Sequence, residues 1–314
     1  MVIGDGRPAP AGHVGAGFAV SQVSRFVLTI KTWGRMVKFS HSVFALPFAL
    51  TGAALAAARY GITWRQVVWI VVAMIAARNA AMGFNRLVDH AIDARNPRTA
   101  GRELPRGAVS RPAVWVFTGA LAALFVFASL RLNTLCGALS PLALLIVFSY
   151  SLTKRVTWGS HLVLGLSLAI APVGGWLAIA GRFAPVPLLL AAAVVFWVAG
   201  FDTIYACQDV AFDRREGLFS IPARFGVPRA LTLARAFHLL ALAAMVGVGV
   251  AGGLHGIYWI GLVLVAGVLV AEHRLVRADD LSRVGIAFLN ANGLISILYF
   301  GVVLAALALE KTTP

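Results

Sequence analysis

The sequence has few charges, few acidic residues and few cysteines. Only 12% of its 314 residues are charged, against about 25% in soluble domains, which excludes an ordinary soluble domain. Its two cysteines, Cys136 and Cys207, lie in apolar runs, so we expect free, buried thiols rather than a disulfide framework. The cysteines stand apart from each other, and the histidines show no clustered ligand spacing, which argues against a zinc site.

Apolar residues make up most of the sequence. Hydrophobic residues make up 60% of the chain and the mean hydropathy is +0.86, values typical of a polytopic membrane protein. The net charge of +15 is what short cytoplasmic loops of such proteins accumulate. No polar segment is long enough to fold as a nucleic-acid reader, so we expect a lipid bilayer and no nucleic acid as the partner.

The apolar runs predict an all-α fold with nine membrane-spanning helices. A span needs about 20 mainly apolar residues, and Gly, Pro, Asn or Arg clusters separate the candidates. The candidates are residues 39–59, 66–93, 113–130, 134–152, 161–180, 186–210, 229–251, 255–273 and 284–308. Residues 1–34 are rich in Gly and Pro at their start and carry no signal-peptide pattern, so we expect a flexible N-terminal tail.

The basic residues predict the orientation in the membrane. Most of the 27 Lys and Arg lie in the tail and the even-numbered loops. The positive-inside rule therefore places the N-terminus in the cytoplasm and the C-terminus on the opposite side. The basic residues on the other side are Arg59, Arg65, Arg131, Arg182 and Lys311.

Two groups of acidic residues lie in or at the ends of predicted membrane spans, where acidic residues are rare. Asn85, Asp89 and Asp93 are spaced by four residues at the end of the second predicted span, a spacing that aligns side chains on one helical face. We call these three residues the first ladder. A single intramembrane acid is often one partner of a salt bridge, but clustered acids indicate a functional site.

The end of the sixth predicted span repeats the pattern. Its members, spaced by three, four and four residues, form the second ladder: Asp202, Tyr205, Asp209 and Asp213. Mg²⁺ prefers carboxylate oxygens together with substrate phosphates and water, so two such ladders facing one cavity predict two Mg²⁺ ions that bridge a diphosphate. Both ladders precede a basic loop, which suggests two related halves of the chain.

Several motifs resemble the UbiA superfamily of intramembrane prenyltransferases. The segment NRLVDHAID (85–93) resembles the family's N-x-x-x-D-x-x-x-D signature, and RTAGRELPRG (98–107) resembles its Arg-rich loop. DTIYACQDVAFD (202–213) is similar to the second motif of the 4-hydroxybenzoate branch, and YSLTK (150–154) to a Y-x-x-x-K element. The motifs occur in the family's order, and the resemblance extends from about Lys38 to the C-terminus.

The resemblance implies a nine-helix domain over residues 35–314, around a central cavity open to the membrane. It implies transfer of a polyprenyl group from its diphosphate to a ring carbon of an aromatic acid in quinone biosynthesis. Together with the positive-inside rule, we expect the mouth of the site at the cytoplasmic side of the cell inner membrane. Asn85, Asp89 and Asp93 would hold one Mg²⁺. Asp209 and Asp213, with Asp202 nearby, would hold the second.

Further roles follow from the same resemblance. Lys154, Arg98 and Arg102 are candidates for contacts with the diphosphate, where fixed cations stabilise the charge that develops on the leaving group. Tyr150 and Tyr205 are candidates for a hydrogen bond to the diphosphate or for stabilising the allylic cation.

The acceptor is less well specified. Lys38, His41 and Arg78 are candidates for binding an aromatic carboxylate, although Lys38 also suits a snorkelling lysine and His41 a packed or capping residue. The chain departs from the family pattern at two positions: Arg86 stands where many members have Asp, and Glu103 stands where the loop often has Pro. The first departure occurs in branches that resemble menaquinone-pathway enzymes and therefore bears on the acceptor. Besides 4-hydroxybenzoate, the sequence leaves open naphthoate, homogentisate and haem acceptors.

Two other functions, neither of which involves prenyl transfer, are alternatives to this hypothesis. A secondary transporter would also carry intramembrane acids, but it predicts helices broken near the midplane, whereas these acids lie near one rim. A scaffold protein would leave both ladders unexplained.

Overall fold

The computed structural model describes Leu28 and residues 31–38, 42–286 and 290–310. These residues are almost entirely helical, and the only β-type pairing among them is an isolated bridge between Arg277 and Asp280. The all-α prediction is confirmed. The predicted tail, residues 1–34, lies outside this part of the chain except for Leu28 and residues 31–34.

Nine long helices follow the predicted spans in order within the described residues. They are α1 (Ser42–Tyr60), α2 (Trp64–Val88), α3 (Arg111–Leu132), α4 (Thr134–Thr153), α5 (Ser160–Ala180), α6 (Pro185–Ala206), α7 (Val227–Gly252), α8 (Ile257–Leu275) and α9 (Asn292–Glu310). By length and composition, eight of the described helices could cross a membrane; α1 is not among them. The fold is thus that of a multi-pass membrane protein.

Local signals in the sequence fix where these helices begin and end. Thr63 and Gln66 form a capping box at the start of α2, and Ser110 and Asn133 cap α3 and α4 through their side chains. These caps satisfy backbone N–H groups that have no partner within the helix. At the other end of α5, Gly181 adopts a left-handed conformation, which glycine tolerates without steric cost.

Small residues bring α1 and α5 into close contact. A Cβ on Gly52 would lie 2.0 Å from the Pro172 carbonyl oxygen, and one on Gly175 would lie 2.0 Å from that of Ala49. Glycine is needed where helix backbones approach this closely, as in many membrane-helix interfaces.

The core contains large aromatic side chains, while apolar side chains also cover the outside. Trp176, Trp197, Tyr258 and Tyr299 are almost completely buried. Exposed apolar residues recur along the long helices, for example Val116 on α3, Leu145 on α4, Val250 on α7 and Val263 on α8. Such a surface suits contact with lipid rather than water.

Candidate active site

Both ladders cross a break in the helix that carries them. Helix α2 ends at Val88 and a short helix, His90–Arg95, follows; α6 ends at Ala206, followed by a 3₁₀ turn and a second short helix, Val210–Arg215. The predictions of continuous helices over residues 66–93 and 186–210 were therefore wrong near their ends. A residue of the ladder marks each break: Asp89 in the first and Asp209 in the second.

The two breaks share one feature, an Asp in an unusual backbone conformation that precedes a short helix. Asp89 has φ −85° and ψ 1°, and Asp209 has φ −100° and ψ 4°, values in the sparsely populated bridge region where many active-site residues lie. Each is followed by a six-residue helix. In each short helix the next acid of the ladder, Asp93 or Asp213, is the fourth residue. This local repeat supports the prediction of two related halves.

Side chains from the loop after the first ladder hold the second ladder. Arg98 donates from Nε to Asp209 Oδ1 at 2.9 Å and from Nη2 to Asp209 Oδ2. Asn96 Nδ2 donates to the same Oδ1 at 3.3 Å. Arg95 Nε also donates to Glu216 Oε2 at 2.8 Å. These bonds span more than 100 residues of sequence and bring the two ladders into one cluster.

Asp89 is buried and has three polar neighbours. Asn85 Nδ2 donates to its Oδ2 at 2.9 Å, and Lys154 Nζ lies 3.0 Å from the same oxygen. Arg155 Nη2 donates to its Oδ1 at 2.8 Å, while Nη1 bonds the Ser151 carbonyl oxygen. A buried carboxylate requires such compensation. The end of α4 thus supplies the positive charge for the first ladder.

Asp93 is buried against two arginines. Arg102 Nη1 lies 2.7 Å from both carboxylate oxygens of Asp93. Arg86 Nη1 lies 3.8 Å from Asp93 Oδ2, and its side chain is only 3% exposed. Arg86 Nε also donates to the Met36 carbonyl oxygen at 3.0 Å. The arginine that departs from the family pattern therefore links α2, the first ladder and residues 36–38, which we call the N-terminal turn.

Tyr205 and Tyr150 lie beside the acids. Arg98 Nη1 donates to the Tyr205 hydroxyl at 2.8 Å, and its guanidinium carbon lies 5.1 Å from the centre of that ring. Tyr150, in the last turn of α4, lies within electrostatic reach of Asp89 and Asp202, one residue from each ladder. The two tyrosines therefore border the cluster from different helices.

Asp202 is held by a histidine that the sequence reading missed. His161 Nδ1 lies 2.6 Å from Asp202 Oδ2, and its Nε2 lies 3.2 Å from the Ile221 backbone nitrogen. A backbone N–H can only donate, so Nε2 accepts and Nδ1 carries the proton that His161 donates to Asp202. The side chain of His161 is 3% exposed. It fixes Asp202 against the loop that follows the second ladder.

The end of the second ladder is tied to the same loop. The Ser220 hydroxyl donates to Asp213 Oδ2 at 2.9 Å, and the backbone N–H of Phe219 donates to the Lys154 carbonyl oxygen at 2.7 Å. Residues 219 and 220 thus connect the second ladder to the end of α4. The charge of Lys154 acts on Asp213 as well as pairing with Asp89.

The acceptor candidates lie at the N-terminal turn. Arg78 does not point a free guanidinium at a ligand: Nη1 and Nη2 donate to the carbonyl oxygens of Val37 and Lys38 at 3.0 and 2.7 Å. Lys38 has φ 47°, a left-handed conformation unusual for lysine. Burial, with the charges of Arg102 and Arg86, lowers the pKa of Lys38 to about 8. His41 lies outside the described residues.

The donor chemistry of the ladders fits Mg²⁺. Asn85 offers an amide oxygen, and the four aspartates of the two ladders offer carboxylate oxygens: Asp89, Asp93, Asp209 and Asp213. Mg²⁺ needs only one or two carboxylates when phosphates complete its shell. Within the described residues, no group of three or more His, Cys, Asp or Glu side chains is close enough to form a metal site alone.

Sequence reasoning missed four residues that hold the acids: Asn96, Arg155, His161 and Ser220. Arg155 follows Lys154 directly, and Asn96 lies between the first ladder and Arg98, so their positions carried the signal. His161 had a weaker one, because a histidine at the start of an apolar span is unusual but not specific. Its partner, Asp202, is 41 residues away, and no local pattern gives that pairing.

Comparisons with known proteins agree with this architecture. Residues 45–298 match the UbiA prenyltransferase family. The chain is 34% identical over 234 residues to a 4-hydroxybenzoate octaprenyltransferase from Xanthomonas campestris pv. campestris, covering 74% of this chain and 77% of that protein. The corresponding protein of Aliivibrio fischeri is 30% identical over 230 residues, covering 73% and 80%.

Solved structures share the fold. A UbiA homolog from Aeropyrum pernix K1, determined in its apo form, matches with a TM-score of 0.74 and 34% identity, covering 86% of this chain and 98% of that one. A UbiA homolog from Archaeoglobus fulgidus bound to GPP and Mg²⁺ matches with a TM-score of 0.68 and 18% identity, covering 88% and 99%. The chain therefore belongs to the UbiA prenyltransferase family and is a membrane-embedded prenyltransferase.

Proposed function

We propose that this protein transfers a polyprenyl group from its diphosphate to a ring carbon of 4-hydroxybenzoate, or of a related aromatic acid, with Mg²⁺. One observation carries the proposal beyond family membership. Each cation that we assign to the diphosphate pairs with a carboxylate that we assign to Mg²⁺: Lys154 with Asp89, Arg102 with Asp93 and Arg98 with Asp209.

This pairing identifies the charge that a ligand must carry. A purely anionic ligand would draw these cations away and leave the carboxylates with less positive charge to compensate them, and a metal ion alone would leave the cations unpaired. Either outcome is costly at buried sites. A diphosphate with its Mg²⁺ ions brings both signs and replaces both halves of each pair.

The residues then divide into metal ligands and phosphate ligands. Asn85, Asp89 and Asp93 would hold one Mg²⁺, and Asp209 and Asp213 the other. When bound, the two ions would neutralise the charge that develops on the leaving pyrophosphate. Lys154, Arg98 and Arg102 would donate to its oxygens.

The remaining chemistry takes place on carbon. The C–O bond of the donor breaks and its electron pair leaves with the diphosphate, the ring carbon of the acceptor forms the new C–C bond, and that carbon then loses its proton. Tyr150 and Tyr205, beside the ladders, would stabilise the allylic cation with their rings. Asp202, held by His161, would lie next to them.

We assign the acceptor carboxylate to Lys38. Its ammonium group is partly buried beside the first ladder, where Arg102, Arg86 and Asp93 act on its charge. Arg78 would support this lysine by holding the carbonyl oxygens of Val37 and Lys38. His41, three residues further on, stays a candidate for the same carboxylate.

The named relatives motivate the choice of substrates. The curated relatives at 34% and 30% identity are called 4-hydroxybenzoate octaprenyltransferases, and Archaeoglobus homologs were solved with DMAPP or GPP and Mg²⁺. We infer a location in the cell inner membrane, with the N-terminus and the mouth of the site at the cytoplasmic side and the C-terminus opposite, from the distribution of basic residues.

A turnover assay tests the proposal. Purified protein receives geranyl or a longer prenyl diphosphate, Mg²⁺ and, in separate reactions, 4-hydroxybenzoate, a dihydroxynaphthoate or homogentisate. We expect a prenylated aromatic acid and pyrophosphate in equal amounts, with 4-hydroxybenzoate preferred. Preference for the naphthoate would keep the chemistry and change the acceptor. Failure with every acceptor would contradict the proposal, and ion flux in liposomes would then favour a transporter.

A further inference from the structure

A second polar site lies away from the ladders, between α7 and α8. A pocket of about 400 Å³ opens between the first turns of α7 and the last turn of α8 with the loop that follows it. Its polar lining comes from Thr232, Arg235, His273, Arg274, Arg277 and Asp279. No residue of either ladder lines it, so it is distinct from the candidate active site.

The pocket carries an excess of positive charge. Arg235, Arg274 and Arg277 line it together with one acid, Asp279. Arg277 Nε donates to Asp279 Oδ1 at 3.2 Å, and the acid compensates the charge of this one arginine. The side chains of Arg235 and Arg274 are exposed. The pocket therefore suits an anion with a single charged group.

The inner wall of the pocket is fixed by the core. His273 Nε2 lies 2.9 Å from His238 Nδ1, and His238 Nε2 lies 3.2 Å from the Trp197 carbonyl oxygen. A carbonyl can only accept, so His238 donates to Trp197 and accepts from His273. This chain connects α8, α7 and α6, and a Cβ on Gly200 would lie 2.2 Å from the His238 ring.

Apolar surface continues from the pocket along both helices. Leu239 lies one turn after Arg235 on α7, and Val270 lies one turn before Arg274 on α8, so each shares a face with its arginine. Their exposed fractions are 67% and 50%. Because α7 and α8 are both candidate membrane spans, these residues lie where acyl chains would run.

We propose that this pocket binds the headgroup of an anionic phospholipid, with the acyl chains against Leu239 and Val270. Basic pockets at the ends of membrane helices have this recognition chemistry, and a soluble anion would not use the apolar surface. A prenyl diphosphate is also an anionic amphiphile, but it would need metal ligands, and Asp279, the single acid here, already pairs with Arg277.

Native mass spectrometry of the purified full-length protein tests this site without any turnover. The protein is titrated with phosphatidylglycerol and with phosphatidylcholine of the same acyl chains. We expect wild type to retain phosphatidylglycerol at least 10-fold better. Removing two charges near a membrane surface by Arg235→Gln/Arg274→Gln should weaken that binding about 10- to 30-fold.

Two controls distinguish binding in the pocket from attraction by the other arginines near it. Arg229→Gln/Arg283→Gln removes the same charge from exposed arginines outside the pocket lining, and we expect less than a 3-fold change. Arg235→Lys/Arg274→Lys keeps the charge and should retain most of the binding, which also reports on folding. Equal binding of both lipids, an equal loss in the control variant, or stronger binding of geranyl diphosphate without metal would each overturn the proposal.

Discussion

Lys154 Nζ lies 3.0 Å from Asp89 Oδ2, so the end of α4 and the break after α2 neutralise one another. The same relationship joins Arg102 to Asp93 and Arg98 to Asp209. In these pairs the cations hold the acids in place. We infer that the paired ladders are preorganised for a ligand that carries a metal and a diphosphate together.

The exchange of partners predicts cooperative binding of metal and donor. Because Mg²⁺ and the diphosphate would each free the group that the other needs, each should raise the affinity for the other by at least 10-fold, within the usual range of coupling between sites. Calorimetric titration of a non-ionising geranyl diphosphate analogue, with and without Mg²⁺, measures this coupling. Equal affinities in the two titrations would show that the pairs do not exchange.

Lys154 should act on the donor rather than the acceptor. Lys154→Gln removes a charged hydrogen-bond donor, so the KM for the prenyl diphosphate should rise about 10- to 100-fold, while the KM for the acceptor changes less than about 3-fold. Steady-state kinetics with each substrate varied in turn separates the two constants. A larger rise in the KM for the acceptor than in the KM for the prenyl diphosphate would show that Lys154 binds the acceptor instead.

His161 should act by orienting Asp202. His161→Ala leaves the Asp202 carboxylate and the Ile221 N–H without their partner, and we expect kcat to fall by roughly 10- to 100-fold. His161→Gln can donate to Asp202 and accept from Ile221, so it should recover much of that loss. A role in packing alone would give equal kcat values for Gln and Ala once both variants are shown to be folded.

The pH dependence of acceptor binding should report on Lys38. Its pKa is lowered to about 8, chiefly by burial, so the ammonium group is present below that pH and is lost above it. The acceptor KM should then be flat below pH 8 and rise by up to about 10-fold per pH unit above it. Lys38→Arg, which stays charged throughout, should remove the rise. A rise that persists in the arginine variant would assign it to another group.

Arg86 should not be replaceable by the residue that is common in the family. Arg86→Asp would bury a second acid beside Asp93 and remove the bond to the Met36 carbonyl oxygen. Loss of one partner of a buried pair costs about 3–5 kcal/mol, so thermal unfolding in detergent should occur at a markedly lower temperature. Arg86→Lys should be milder. A stable and active Asp variant would show that Arg86 does not support the first ladder.

The sequence was sufficient for the parts that depend on local patterns. Apolar runs placed the long helices, and four-residue spacing found both ladders. The breaks at Asp89 and Asp209 were not predicted, because residues four apart in the sequence give the same pattern whether the helix is continuous or interrupted. The backbone conformation that interrupts each helix leaves no mark in residue type.

Pairings between distant segments were the other part that the sequence could not provide. Asp202 and His161 come together because the starts of α5 and of the segment Ile221–Phe225 meet at α6, which is a property of packing. Arg78 shows the opposite case. Its sequence position made it a candidate for binding the acceptor carboxylate, but its guanidinium donates to the backbone oxygens of Val37 and Lys38, which sequence patterns do not reveal.

The most direct test of the account compares product formation by wild type, Asp89→Asn and Asp209→Asn, with 4-hydroxybenzoate, geranyl diphosphate and either Mg²⁺ or a chelator. Asn keeps the size of each side chain and removes its charge. We predict that wild type forms prenylated acid and pyrophosphate only with Mg²⁺, and that both variants lose at least 100-fold in rate while they remain folded. Turnover without divalent metal, or wild-type rates in either variant, would contradict the central claim.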